Sequence, residues 1–121
     1  SRDLAAALQW FQRAAGQGFP AGNNALAVMY AAGVGVKKDE SRAVALYREA
    51  ADKGYAEAMF NLGIMTEEGR GTARDLPEAF RLYQAAAEKG HEQARRILER
   101  AGRITRAEDL LDPLKRPGTM R

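Results

Sequence analysis

Small and apolar residues recur along this chain at three- and four-residue spacing, in segments that glycine and proline separate. The first segment shows this spacing in Leu4, Ala7, Leu8, Phe11 and Ala15. Residues spaced in this way lie on one face of an α-helix, so each segment is predicted to form an amphipathic helix. The pattern predicts six main helices in antiparallel pairs, at about 4–16, 20–32, 40–53, 56–67, 76–89 and 92–101.

The whole pattern occurs three times at a fixed distance of 36 residues, as Phe11, Tyr47 and Tyr83 show. Nine positions are identical between the first two copies, and they comprise an aspartate at a helix start, packing sites and glycines: Asp3/Asp39, Ala7/Ala43, Ala14/Ala50, Ala15/Ala51, Gly18/Gly54, Leu26/Leu62, Met29/Met65, Gly33/Gly69 and Gly35/Gly71. A period of about 20 to 50 residues is typical of a solenoid, whose units bury their apolar faces against one another. The predicted fold class is therefore all-α, a solenoid of three helix-pair repeats.

The 121 residues are accounted for by one repeat domain over 3–102. Its repeats are predicted at about 3–38, 39–74 and 75–102. The third repeat has Glu99 where the earlier copies have a small residue, and a more polar last helix is typical of a capping repeat. The chain begins without a methionine and enters a repeat at once, so we expect it to be a piece of a longer protein.

Residues 103–121 are predicted to form a short capping helix, at about 106–112, and a basic tail. Pro113 and Pro117 prevent regular structure after that helix. Because the end of a solenoid exposes apolar surface that needs a cover, we expect this helix to fold back onto the last repeat. The apolar side chains available for this contact are Ile104, Leu110, Leu111 and Leu114.

Aspartate and glycine mark the ends of the predicted helices. Asp39 and Asp75 are placed to cap helix starts with their side-chain oxygens, and Glu78, three residues after Asp75, suggests a capping box. The Gly33-Val-Gly35 and Gly69-Arg-Gly71 loops superficially resemble phosphate-binding loops. Such loops follow a strand, whereas these follow a helix and recur one repeat later, so they are interpreted as turns.

Charge and cysteine content exclude several classes of function. The net charge is +3, but residues 1–90 carry eleven basic and eleven acidic side chains, so the excess belongs to residues 91–121. A balanced repeat body is not expected to bind nucleic acid. No apolar run is long enough for membrane insertion. The absence of cysteine excludes disulfides and thiolate chemistry, and it leaves the localisation unknown, since cytoplasm and bacterial periplasm are both compatible.

No group of residues forms a convincing active site, so we predict that the chain is not an enzyme and that it has no cofactor and no metal. His91 is the only histidine, and it takes the place of Phe19 and Tyr55 in the other repeats, so it is interpreted as a packing ring. Met29 and Met65 lie one period apart at a core position. The adjacent Glu67 and Glu68 are interpreted as solvated surface.

The repeat strongly resembles the Sel-one-like repeat family, a relative of the tetratricopeptide repeats. The resemblance covers about 3–102 and rests on these residues: Ala43, Leu46-Tyr47, Ala50-Ala51, Gly54, Ala58, Leu62-Gly63, Gly69-x-Gly71 and Asp75. It implies a right-handed superhelix of helix pairs, and adaptor or scaffold functions in bacterial envelope, signalling or secretion systems or in eukaryotic quality-control complexes.

We therefore expect a protein-protein interaction scaffold that binds a partner protein or peptide on the concave face of the solenoid. The alternative is a structural subunit buried in a larger multiprotein assembly. The expected site is formed by equivalent exposed positions of successive first helices, where the repeats differ: Gln9, Ala45 and Arg81; Gln12, Arg48 and Gln84; Arg13, Glu49 and Ala85. Amides and arginines in these rows suit hydrogen bonds to an extended peptide or its carboxylates.

Overall fold

The computed structural model describes residues 2–102, which form six α-helices and no β-strand. The helices are α1 (Arg2–Gly16), α2 (Pro20–Ala32), α3 (Glu40–Asp52), α4 (Ala56–Glu68), α5 (Leu76–Glu88) and α6 (Glu92–Arg100). All six predicted helices are confirmed, with ends within two residues of the expected positions. The predicted capping helix at 106–112 and the basic tail lie outside the described residues.

Two of the predicted aspartate caps are confirmed. Oδ1 of Asp39 accepts a hydrogen bond from the backbone N–H of Arg42 at 3.0 Å, at the start of α3. Oδ1 of Asp75 accepts from the backbone N–H of Glu78 at 3.1 Å, at the start of α5. Each cap satisfies one of the backbone donors that a helix leaves unpaired in its first turn.

Two other expectations about helix starts are wrong. Asp3 does not precede a helix, because α1 begins at Arg2 and places Asp3 inside the first turn. The capping box at α5 is only half formed, because the Glu78 carboxylate binds Arg81 and the backbone N–H of Asp75 donates to the Thr66 carbonyl instead. A charged partner one turn along the helix thus competes successfully for the glutamate.

The two glycine loops are turns, as predicted. Gly33 and Gly69 end α2 and α4 in the left-handed conformation, with φ of 70° and 67°. Two residues on, Gly35 and Gly71 also have positive φ, 78° and 73°. Glycine is the residue that adopts this conformation without a steric penalty, which explains why the loop repeats it.

The helices form two layers. Each helix packs against the next one in sequence, from α1 on α2 to α5 on α6. Nζ of Lys53 donates to the carbonyl of Gly18 at 2.7 Å, which joins the ends of α3 and α1. Nδ2 of Asn61 donates to Oδ1 of Asn24 at 3.1 Å, which joins α4 and α2. First helices therefore neighbour first helices, and second helices neighbour second helices, as in a solenoid.

Pairs of alanines occupy the tight helix contacts of the core. The prediction that they are largely buried is confirmed for Ala50, Ala51, Ala86 and Ala87. It is wrong for the first pair, because Ala14 and Ala15 are only half-buried. No residue of α1 is buried, since nothing in the described part of the chain covers its outer side.

Replacing Ala50 with leucine should lower the free energy of unfolding by about 1 to 3 kcal/mol, because its side chain is 0% exposed and extra methylene groups would overpack the core. Urea denaturation followed by circular dichroism measures this. Ala45→Leu is the control, since Ala45 lies on the same helix but is exposed. An Ala50→Leu variant as stable as the wild type would contradict the assigned packing.

Candidate functional site

The predicted site residues form an exposed stripe on the first helices, which we call the first-helix surface: Gln9, Gln12, Arg13, Ala45, Arg48, Glu49, Arg81, Gln84 and Ala85. Seven of the nine are exposed, while Gln84 and Ala85 are half-buried. On α3 the stripe alternates with the buried Leu46 and Tyr47, as helical periodicity requires. The structure therefore places these side chains on one face of the first-helix layer.

The Glu78 carboxylate of α5 interacts with two arginines of this surface. Both Nε and Nη2 of Arg81 donate to the Glu78 carboxylate, at 2.8 and 2.6 Å. These hydrogen bonds hold the pKa of Glu78 below its usual range, and the charge of Arg48 on the neighbouring first helix acts in the same direction. Arg81 is therefore hydrogen-bonded within its own helix, whereas Arg48 interacts with Glu78 only through its charge.

Two further predicted residues are bound by neighbours that the repeat pattern does not reveal. Oε2 of Glu49 accepts from Nδ2 of Asn23 at 3.2 Å, across the contact between α2 and α3. Nε2 of Gln84 donates to Oε2 of Glu88 at 3.3 Å, one turn along α5. A ligand would have to replace these bonds, which lowers the contribution of both side chains to recognition.

Three predicted residues remain available. Gln9, Gln12 and Arg48 are exposed and have no hydrogen-bond partner among residues 2–102. Arg13 is partly occupied, because its guanidinium lies 5.9 Å from the ring centroid of Trp10. The free donors of the first-helix surface thus lie on α1 and α3.

A basic pocket beside the first glycine loop was not predicted. This pocket has a volume of about 510 Å³ and is lined by Tyr30, Val36, Lys37, Lys38, Asp39 and Arg42. The Arg42 guanidinium stacks 5.2 Å from the Tyr30 ring centroid. Lys38 also pairs with Glu40 at 3.7 Å, so Lys37 and Arg42 are the cations that a carboxylate-bearing side chain would meet here. The sequence feature that could have indicated this pocket is the pair Lys37-Lys38, because its equivalents in the second repeat are Ala73 and Arg74.

The interpretation of His91 as a packing ring is confirmed. Its imidazole stacks on Phe60 with ring centroids 4.4 Å apart.

The His91 ring also makes two polar contacts that the sequence did not show. Nδ1 accepts from the backbone N–H of Ala94 at 3.2 Å and caps α6, while Nε2 lies 2.8 Å from the Glu57 carboxylate. This arrangement assigns the neutral-ring proton to Nε2, because Nδ1 acts as the acceptor.

The interpretation of Glu67 as solvated surface is wrong. The Glu67 carboxylate is half-buried and accepts a hydrogen bond from the Tyr83 hydroxyl at 2.6 Å. Burial is the main cause that raises the pKa of Tyr83, and the bond to Glu67 adds to it. Its neighbour Glu68 is exposed and pairs with Arg70 at 3.2 Å.

Residues 2–102 contain no group of three or more histidine, cysteine, aspartate or glutamate side chains placed to hold a metal ion. Over the same residues, no helix combines the length and the apolar character needed to cross a bilayer.

Three solved structures resemble this chain in fold and sequence. A protective antigen of uropathogenic Escherichia coli strains that displays an SLR fold is 37% identical, with a TM-score of 0.72 over 74% of this chain and 19% of its own. A Sel1 repeat protein from Oxalobacter formigenes is 39% identical, with a TM-score of 0.70 over 74% of this chain and 37% of its own. Cysteine-rich protein B of Helicobacter pylori is 26% identical, with a TM-score of 0.72 over 75% of this chain and 68% of its own.

This chain therefore spans less than two fifths of the length of the first two of these structures. No curated protein sequence matches it. The family model described as Sel1 repeat matches residues 1–19, 20–55 and 56–91. The two full matches begin 36 residues apart, which is the period of the sequence pattern. With this match over most of its length, the chain belongs to the Sel1 repeat family.

Proposed function

We propose that this chain is a scaffold that holds a partner protein or peptide against the first-helix surface, on the concave face of the solenoid. Sel1-repeat proteins generally act as protein-interaction scaffolds, and the family is a non-catalytic one. We assign this scaffold function to the first-helix surface, and we assign no enzymatic activity, nucleic-acid binding or cofactor to the chain.

The observation that carries the proposal is the contrast between a constant frame and a variable exposed stripe. Tyr47 and Tyr83 are buried at equivalent positions of α3 and α5, with 4% and 0% exposure. Beside them, the displayed residues change from Arg48 to Gln84 between the same two helices. A constant helix frame with varied polar donors is suited to binding an extended chain, since the backbone positions that carry the donors are fixed before binding.

Arg48 is the central donor of the proposed site. It is exposed, it has no hydrogen-bond partner in the described part of the chain, and its helix lies between the other two first helices. A free guanidinium can contact a carboxylate with two parallel hydrogen bonds, or donate to a backbone carbonyl. Arg81 contributes less, because Glu78 already binds its Nε and Nη2.

Replacing Arg48 with alanine should weaken binding of the partner that co-purifies with the full-length protein by about tenfold or more, as expected for loss of a charged hydrogen bond. Calorimetry or surface plasmon resonance with the isolated partner measures this. Because Arg48 is exposed, the melting temperature should stay unchanged.

Arg96→Ala is the matched control, since it removes the same charge from an exposed position on α6 in the other layer. If Arg48→Ala and Arg96→Ala bound the partner equally well, the first-helix surface would not be the site. Arg81→Ala should have a smaller effect than Arg48→Ala, and a larger effect would mean that the partner displaces Glu78.

The alternative function, a structural subunit of a larger assembly, has one observation in its favour. Two large aromatic side chains, Trp10 and Phe19, are exposed in the first repeat, by 67% and 56%. A larger assembly would cover both side chains.

A further inference from the structure

Two cations of the basic pocket have no ion-pair partner. Lys37 and Arg42 line the pocket, both are exposed, and neither forms an ion pair among residues 2–102. The neighbouring Glu40 pairs instead with Lys38 and Arg70, at 3.7 and 2.7 Å. The pocket therefore presents positive charge that the described part of the chain leaves available to a ligand.

The walls of the pocket are held by contacts between the loop and the two helices it joins. The backbone N–H of Asp39 donates to the Tyr30 carbonyl at 2.9 Å, which closes the loop onto the end of α2. Oδ1 of Asp39 accepts from the backbone N–H of Arg42 at 3.0 Å, and the Arg42 guanidinium lies 5.2 Å from the Tyr30 ring centroid. These contacts restrict the site before a ligand binds, which lowers the cost of ordering it.

The second repeat keeps the loop but not the cations. Three lining residues are replaced there: Tyr30 by Thr66, Lys37 by Ala73 and Arg42 by Glu78. The one cation that remains is Arg74, the equivalent of Lys38, and its Nε donates to the Glu67 carbonyl at 3.1 Å. The free positive charge is therefore a property of the first loop alone and is not required for the turn.

We propose that the basic pocket binds a carboxylate of a peptide segment, with Lys37 and Arg42 as its direct contacts. The half-buried Tyr30 and Val36 lie beside them and suit the aliphatic carbon atoms next to the carboxylate. This inference rests on the proposed function only for the class of ligand, a peptide, and it adds a site outside the first-helix surface.

The lining selects a singly charged group. A guanidinium contacts a carboxylate through two parallel hydrogen bonds, and a lysine adds a point charge. Asp39 lines the same pocket, so a doubly charged phosphate would be repelled about twice as strongly as a carboxylate. Lys37, Lys38, Asp39 and Arg42 are exposed, so the pocket is open, which suits one side chain of a longer segment better than a small molecule that needs an enclosed cleft.

Titration of the isotope-labelled full chain with short peptides, followed by the backbone amide signals of Lys37, Lys38 and Arg42, tests the proposal. The peptide acetyl-Gly-Gly-Glu-Gly-Gly-amide should shift these signals to saturation at low ionic strength. The same peptide with Gln in place of Glu should bind about tenfold or more weakly, because it lacks the charge. A third peptide, acetyl-pentaglycine with a free carboxyl end, distinguishes a side-chain carboxylate from a chain-end carboxylate.

Exchanging both cations for the residues of the second repeat provides the variant. Lys37→Ala combined with Arg42→Glu should weaken the Glu peptide by about tenfold or more. The fold should survive, because the second repeat has these residues in the same loop and Asp75 still caps its helix there, at 3.1 Å. Lys37→Ala alone should cause a smaller loss with an unchanged melting temperature, since this position is exposed.

Arg74→Ala is the matched control, because it removes a cation from the second loop and should leave the affinity for the Glu peptide as in the wild type. Equal affinities for the Glu and Gln peptides, or an affinity that the double exchange does not change, would overturn the proposal. Tighter binding of a phosphoserine peptide than of the Glu peptide would also overturn it, because the pocket would then select phosphate. None of these measurements uses the co-purified partner, so the first-helix surface is tested separately by Arg48→Ala.

Discussion

Replacing Gly71 with alanine should lower the free energy of unfolding by about 2 to 5 kcal/mol, the sum of two independent penalties. Gly71 has a φ of +73°, in the region that disfavours any residue with a side chain. A Cβ built there would lie 2.3 Å from the carbonyl oxygen of Glu40 and 3.0 Å from the backbone nitrogen of Ser41. These atoms belong to the first turn of α3, so they cannot rotate away as a side chain would. Urea denaturation followed by circular dichroism measures the change.

Gly35→Ala is the matched control, because Gly35 holds the same position in the first repeat, with a φ of +78°. The nearest obstacle to its Cβ is the terminal methyl group of Met29, at 2.7 Å, which is the end of a flexible side chain. This variant should show mainly the backbone penalty of about 1 to 2 kcal/mol. Equal losses for Gly35→Ala and Gly71→Ala would show that the contact between Gly71 and α3 is not tight.

The period of 36 residues was sufficient to predict the helices, the turns and most of the core. Positions such as Ala50 and Ala86 are governed by local spacing and by contacts that every repeat makes, and both are 0% exposed. Gly35 and Gly71 are identical in the sequence and share a positive φ, yet only Gly71 meets immovable backbone. Periodicity predicts what the repeats have in common, and the differences depend on neighbours outside the unit.

The first helix of the described chain shows the same limit. Ala14 was expected to be buried like Ala50, and it is half-buried because α1 has one covered side instead of two. A pattern read along the chain treats all repeats alike, whereas burial depends on whether a neighbouring helix is present. The exposure of Trp10 follows from the same geometry.

The exposed stripe of the first helices was predicted from the sequence, but the pairing of its side chains was not. Spacing placed Arg48 and Arg81 on one exposed stripe, and the structure places them there. The spacing did not show that Glu78 binds Nε and Nη2 of Arg81, or that Glu49 accepts a hydrogen bond from Asn23 across the helix contact. Pairing between side chains depends on rotamers and on distances across helices, which a repeat of residue types does not contain.

Gly63 of α4 lies in close contact with Tyr83 of α5. A Cβ on Gly63 would lie 2.6 Å from Cε1 and 2.9 Å from Cδ1 of the Tyr83 ring. The ring cannot move aside, because it is 0% exposed and lies between Phe60 and Phe80, with centroids 5.9 and 5.8 Å away. Its hydroxyl is fixed by a hydrogen bond to Glu67.

In the preceding repeat, other residues occupy the positions equivalent to this contact. There Ala27 and Tyr47 take the places of Gly63 and Tyr83, and a methyl group is accommodated. The equivalents of Phe60 and Phe80 are the smaller Asn24 and Val44. Glycine at position 63 therefore compensates for two larger rings around the tyrosine.

Gly63→Ala should lower the free energy of unfolding by about 1 to 3 kcal/mol, although alanine favours helix, because the added methyl group overpacks the ring. Tyr83→Ala should lower it by about 3 to 5 kcal/mol, because it leaves a cavity.

In the Tyr83→Ala background, the effect of Gly63→Ala on the free energy of unfolding should change sign. Gly63→Ala should then stabilise by up to about 1 kcal/mol, since the obstacle is gone and only the helix propensity remains. Urea denaturation of the two single variants and the double variant completes this cycle. Additive effects, with Gly63→Ala equally destabilising in both backgrounds, would show that the methyl group meets something other than the Tyr83 ring.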